Sequence, residues 1–232
     1  IKIFEKYIPK KYNLYLEPFI GCGSVFFYIN PKNAVISDVD SELIEFYNAI
    51  KNGHSKKIYN FMIKNKNDDE NYYTIRDEMK IKNSLDIAKR FYYQRKTCFR
   101  GMIRYNKRGR FNVPYGNYKK IDFEDLKNRD YEKLLKRTEI LNTNFEDIFK
   151  NYNKKSNFMF LNVSSSNFNQ HEILLEYFKT TKIKCLMITK KTNLVKKLYR
   201  NYIVSEYEKK YRFKLFINSK NNIKYLIIKN YK

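Results

Sequence analysis

Cysteine is scarce in this chain: Cys22, Cys98 and Cys185 are the three among 232 residues. Their spacing fits neither a disulfide framework nor a metal site, which excludes a small stapled scaffold and points to a reducing compartment. Glycine and proline are few, six and four, and no Gly/Ser/Pro-rich stretch separates independent domains. No apolar run approaches the ~20 residues of a membrane span, and no signal peptide is visible. An intracellular, soluble protein with no membrane partner is therefore expected. The two histidines, His54 and His171, are remote from each other; surface positions without a role are expected, and no metal. Internal repeats are absent. The last shortage is of acid, 24 Asp and Glu against 48 Lys and Arg, for a formal charge of +24.

An excess of that size is a statement about partners, and the usual partner is a polyanion: DNA, RNA or an anionic membrane. AT-rich coding contributes as well, because Asn and Tyr are as conspicuous as Lys. The length supports one sizeable core with room for one inserted subdomain.

The opening residues pair helix-like spacing (Ile3, Tyr7, Ile8) with a short apolar run, Leu14 to Leu16. That run breaks at Glu17-Pro18-Phe19-Ile20-Gly21-Cys22-Gly23-Ser24 and resumes as a helix, Val25 to Ile29. A second strand, Ala34 to Asp38, precedes a helix from Glu42 to Lys51 that Ser41 is expected to cap. Strand, glycine turn, helix, strand and acid together form the pattern of a nucleotide-type α/β fold. From about His54 to Arg137 the chain turns polar, aromatic and basic, with helical spacing near Asp86 to Phe99 and a hairpin at 104–116. Strands then return at Glu139 to Asn142, Phe158 to Val163, Ile183 to Ile188 and Tyr225 to Ile228, with helices at 146–152, 170–180 and 191–201. The expected organisation is a core of residues 1–54 and 138–232, interrupted by a subdomain at 55–137.

Two stretches carry chemistry. The Gly21-Cys22-Gly23 turn lets backbone approach a ligand, and Asp38, 15 residues after Gly23, is placed to hold two ribose hydroxyls. The same turn serves packing elsewhere, Asp38 equally suits a residue before a helix cap, and the spacing does not separate S-adenosylmethionine (SAM) from a dinucleotide. The hairpin, Arg104-Tyr105-Asn106-Lys107-Arg108-Gly109-Arg110-Phe111-Asn112-Val113-Pro114-Tyr115-Gly116, crowds four cations around a turn glycine. Arg and Asn pair bidentately with base edges, and neighbouring cations hold phosphates. A solvated basic hairpin is the plainer alternative; interleaved aromatics favour nucleic acid.

Leu16 to Phe27 resembles the SAM-binding motif of Dam-type DNA adenine methyltransferases, and Ser37 to Ile44 resembles their next motif. The hairpin matches their target-recognition hairpin almost residue for residue, and Ile223 to Tyr231 is similar to their last strand. The resemblance covers nearly the whole chain. It implies a Rossmann-like, SAM-dependent methyltransferase α/β fold with a mixed sheet, plus an inserted, mainly helical target-recognition subdomain carrying a β-hairpin. It also implies that Glu17, Pro18, Phe19, Gly21, Gly23, Asp38 and Asn144 stand at cofactor positions. Arg104, Asn106, Lys107, Arg108, Arg110, Asn112, Pro114 and Tyr115 stand at nucleic-acid positions, with duplex DNA as the expected partner and RNA as the alternative.

The resemblance breaks at the chemistry. The family carries Asp-Pro-Pro-Tyr, whose Asp and a proline carbonyl accept hydrogen bonds from the target amine while Tyr stacks on the extruded base. Here the matching residues are Asn162, Val163, Ser164 and Ser165. Asn brings no negative charge, and Ser has no π-face. Asn144 replaces a family acid that helps bind the SAM adenine, and only Ser166 to Asn169 separate Ser165 from the expected helix start at Gln170. A catalytically inactive homologue with weak or absent SAM binding is expected, retained as a nucleic-acid-binding or structural subunit of a larger assembly. The alternatives are an active adenine-N6 methyltransferase and an RNA-binding component of a ribonucleoprotein or virion.

Overall fold

The computed structural model describes residues 1–163, 168–210 and 222–232. The chain divides into two compact units, Ile1–Val39 with Leu141–Lys232, and Asp40–Ile140.

The sheet orders its strands β3-β2-β1-β4-β5-β7-β6; all of them but β3, which straddles the division at Leu141, lie in the first unit. The strands are β1 (Tyr15–Glu17), β2 (Ala34–Asp38), β3 (Thr138–Asn142), β4 (Phe158–Val163), β5 (Lys184–Lys190), β6 (Ile203–Lys210) and β7 (Asn222–Lys229). Strand β1 runs parallel to β2 and to β4, with Leu16 opposite Val35 and Met159, and β4 runs parallel to β5. Strand β7 reverses direction between β5 and β6. The sheet is therefore mixed, as expected, and Leu14–Leu16 and Phe158–Leu161 lie side by side in it. Because β2 and β4 flank β1 on opposite sides, the chain changes winding direction at β1, and the strand C-termini at such a switch point are where open α/β sheets bind their ligands.

Alternation sorts the side chains of these strands onto two faces. One face packs Leu16, Val35, Met159, Leu161 and Met187 against α8 (Phe145–Asn151), α9 (Phe168–Thr180) and α10 (Asn193–Leu198), through Ile148, Phe149, Leu174, Phe178 and Val195. The other face is aromatic. Phe160 stacks on Phe4 of α1 (Lys2–Glu5) at 5.5 Å, and Tyr15 lies between Phe158 and Phe26 of α2 (Ser24–Ile29). Helix α9 begins at Phe168, two residues ahead of the expected Gln170.

The second unit is mainly helical: α3 (Ser41–Lys51), α4 (Ser55–Lys64), α5 (Asp69–Tyr73), α6 (Ser84–Thr97) and α7 (Arg129–Lys136). Asp40, not Ser41, caps α3: its carboxylate accepts the Leu43 N–H at 3.2 Å. A carboxylate there also complements the positive end of the helix dipole, which a Ser hydroxyl does not. Helix α3 packs on α6 through Phe46, stacked on Tyr92 at 5.1 Å, and through the Arg90–Glu42 ion pair at 2.6 Å.

Candidate functional site

The β1 strand ends in a carboxyl that points inward. Glu17 is 2 % exposed, accepts the Tyr15 hydroxyl at 2.5 Å and takes a backbone hydrogen bond from Phe26. Burial outweighs both bonds and pushes its carboxyl up to about 8. Glu17 thus sits beneath the loop it precedes. Above it the loop turns twice through left-handed backbone, Gly21 at φ +47° and Gly23 at φ +66°, where a Cβ would cost roughly 1–2 kcal/mol. Gly21 faces open space at its Cα, and its N–H donates to Asp38 Oδ2 at 3.1 Å. The Ile20 N–H donates to the Ser37 carbonyl at 3.1 Å. Loop and strand end are thereby tied into one cradle. Pro18 is buried, and the Phe19 ring stacks at 5.4 Å on Phe145, directly after Asn144. The Asn144 side chain caps α8 by accepting the Asp147 N–H at 3.1 Å. Beside Asp38, Val39 is 73 % exposed; an apolar residue left bare beside a carboxylate is a candidate wall for a flat ligand. Its exposure had no signal in the sequence.

One step across the sheet, β4 places Asn162 on its aromatic face in line with Phe158 and Phe160, and there the burial stops: Asn162 is exposed while its strand neighbours are buried. Ser164 and Ser165 lie outside the described residues. Behind this strand, His171 is fully buried rather than at the surface, its carbonyl accepting the Tyr199 hydroxyl at 3.1 Å. It falls on the inner face of α9, one turn before Leu174 and Leu175. Among the described residues no group of His, Cys, Asp and Glu is placed to hold a metal ion, and no helix is long and apolar enough to cross a membrane.

In the second unit the hairpin closes by a type I turn and a bulge. The Gly109 N–H donates to the Asn106 carbonyl at 2.9 Å, the Asn106 N–H to the Arg110 carbonyl at 2.9 Å, and Gly109 takes φ +71°. Asn106 holds that turn with its own side chain, Oδ1 accepting the N–H groups of Arg108 and Arg110 at 2.9 and 3.0 Å. Arg104 is tied across the strands, Nε to Asn112 Oδ1 at 2.9 Å and Nη2 to the Asn112 carbonyl at 2.8 Å. Lys107, Arg108 and Arg110 are exposed at the tip. The base is anchored. The Val113 carbonyl accepts Tyr72 Oη at 2.8 Å and Arg76 Nη1 at 3.0 Å, Tyr115 Oη donates to the Asn67 carbonyl at 2.6 Å, and the Pro114 carbonyl accepts the Phe99 N–H at 2.8 Å. A Cβ on Gly116 would come within 2.8 Å of the Cys98 and Thr97 carbonyls. Tyr72, Arg76 and Asn67 lie 37 residues or more before the contacts they make here and had no sequence signal.

These features, a glycine cradle at a sheet switch point and an anchored basic hairpin, are matched as a whole. The family model of D12 class N6 adenine-specific DNA methyltransferases covers residues 1–215. This chain belongs to that family. Type II methyltransferase M.CviBI of Paramecium bursaria Chlorella virus NC1A is 46 % identical over 247 residues, 100 % of this chain and 95 % of the relative. That alignment is longer than the 232 residues of this chain, so the relative carries insertions that this adenine methyltransferase homologue lacks. Type II methyltransferase M.MjaIII of Methanocaldococcus jannaschii is 38 % identical over 151 residues, 57 % of this chain and 52 % of the relative. DNA adenine methylase of Escherichia coli K12 is 34 % identical over 125 residues, 52 % of this chain and 45 % of the relative. Against these last two the match spans about half of each relative. Membership in the family implies SAM as cofactor and DNA as substrate class.

Proposed function

We propose that this family member binds duplex DNA through its 104–116 hairpin and has lost the capacity to methylate it. The observation that carries the reading is Asn162 at the exposed end of β4, followed in sequence by Val163, Ser164 and Ser165. An exocyclic amine gains positive charge as it takes up a methyl group, and a fixed carboxylate offsets that charge where Asn supplies only a neutral dipole. Loss of one preorganised electrostatic partner costs roughly 3–4 kcal/mol, and loss of a stacking ring roughly 1–3 kcal/mol more. Together they slow transfer on the order of 10³- to 10⁵-fold.

The cofactor cradle favours a second reading, an active adenine-N6 enzyme that works with Asn162. Gly21, Gly23 and Asp38 fit SAM, with Pro18 and Phe19 shaping the floor and Asp38 suited to the ribose. Bound SAM would supply an electrophilic methyl group. The chain's own residues would orient it, Glu17 acting from below by fixing the turn and Asn144 presenting no charge to the adenine. We place target recognition in residues 55–137 of the second unit, with Lys107, Arg108 and Arg110 on phosphates. Arg104, Asn106, Asn112, Pro114 and Tyr115, which stand at the family's nucleic-acid positions, also hold the hairpin's shape.

Purified protein mixed with radiolabelled SAM and duplex DNA tests both readings at once. The expected result is duplex binding that weakens steeply with salt, no label in adenine, and SAM affinity weaker than micromolar by calorimetry. Label at adenine N6, or micromolar SAM binding, supports the enzyme instead; preference for RNA over DNA overturns the choice of partner.

A further inference from the structure

Positive charge is not confined to the hairpin. Among the described residues from Lys179 onward, thirteen Lys and Arg stand against two acids, Glu206 and Glu208. Six of these cations collect at one end of three neighbouring strands. Lys190 and Lys191 close β5, Lys209 and Lys210 close β6, Lys224 opens β7, and Lys196 lies on α10. The register brings these ends together: Lys190 stands opposite Tyr225, Lys210 opposite Asn222, and Lys224 opposite Glu208. The Lys191 N–H donates to the Lys224 carbonyl at 2.8 Å. Glu206 accepts a hydrogen bond from Lys191 and is held below the usual carboxylate range by that bond and by the charges of Lys191, Lys224 and Lys196. Tyr207 and Tyr225 stack at 5.4 Å and 15° on the same strand ends. Because β5 is parallel to β4, and β4 to β1, this is the end of the sheet at which Glu17, Asp38 and Asn162 also emerge.

Lys190, Lys196, Lys210 and Lys224 are exposed, and two carboxylates cannot neutralise six ammonium groups. A surface that concentrates one sign of charge destabilises the fold by self-repulsion unless a counter-charge meets it. Strands ~4.8 Å apart spread these cations over roughly 10 Å, and a duplex strand presents one charge per ~3.4 Å. Several phosphates can thus be met at once. Flexible lysine point charges hold phosphates without reading bases.

We propose that this lysine rim on β5, β6, β7 and α10 is a second nucleic-acid surface, which grips the phosphate backbone irrespective of sequence. It is independent of the hairpin and of whether methyl transfer survives.

The test is fluorescence anisotropy on two unrelated duplexes across a salt series. The parent is compared with the quadruple variant Lys190→Gln, Lys196→Gln, Lys210→Gln, Lys224→Gln, and separately with Lys107→Gln, Arg108→Gln on the hairpin. Each lost phosphate contact lowers the slope of log affinity against log salt by about 0.9. The rim variant should therefore lose about 3–4 from that slope, equally for both duplexes, whatever the hairpin variant does. An unchanged slope, with circular dichroism confirming a folded variant, overturns the proposal while leaving the hairpin assignment to its own variant. Unchanged duplex binding together with lost binding to poly-glutamate overturns it in favour of an acidic protein partner. A variant that fails to fold is replaced by Lys196→Gln, Lys210→Gln, whose slope should fall by about 2; no fall counts against the rim equally.

Discussion

At the scale of single residues, Glu17 carries the clearest consequence. Its carboxyl is pushed up to about 8 in the folded chain against 4.5 in the unfolded one, first by burial. A group whose pKa rises on folding stabilises fully below its unfolded value and loses that contribution as pH climbs through the folded value. Stability should accordingly decline between pH 4.5 and about 8, by at most about 1.4 kcal/mol per pH unit for this one group. Glu17→Gln removes the titration, so urea melts of parent and variant should diverge as pH rises across that window; a constant difference sinks the assignment. The motif itself, Glu17 to Ser24 with Asp38, was legible because a glycine turn after a strand has few uses. That Glu17 points inward was not, since burial depends on Tyr15 and Phe26 packing around it. His171 is a similar case: a lone histidine in a polar-looking segment, yet three residues from Leu174 and hence on the buried side of α9.

At the scale of elements, the hairpin shows what a family match can conceal. Arg104 and Asn106 stand at family positions that touch DNA, and within the chain Asn112 accepts from the first while the second holds the turn. Asn106→Ala removes two hydrogen bonds to backbone, a cost of roughly 1–2 kcal/mol to the turn. Amide exchange at Arg108 and Arg110 should accelerate several-fold in that variant, and should stay at parent rates in Lys107→Gln, where only a surface charge changes. Equal exchange in all three would place Asn106 outside the turn's support. The parallel strands were readable as continuous apolar runs, and α3 and α6 from their periodicity. Strand β6 was not: Val204-Ser205-Glu206-Tyr207-Glu208-Lys209-Lys210 hides its alternation under charge, as suits the last strand in the sheet order. Helices α4, α5 and α7 are rich in Lys, Asn and Asp, so composition masked their apolar stripes.

At the scale of the whole molecule, the first unit is built from two pieces of chain. Strand β1 pairs Tyr15 with Phe158, while every residue from Asp40 to Ile140 belongs to the other unit. Contacts so distant in sequence form late, because closing a long loop costs entropy before any contact rewards it. Pulsed hydrogen exchange during refolding should protect the amides of α6 before those of β1; the reverse order would mean that the sheet nucleates first. On the ribosome the same interleaving becomes a delay. At 5–20 residues per second, on the order of ten seconds pass between the synthesis of β2 and the arrival of β4. Through that interval Tyr15 and Leu16 of β1, both buried in the finished sheet, lack the β4 strand that they pair with. The half-made chain is then an unprotected strand edge, open to pairing with other chains until β4 emerges.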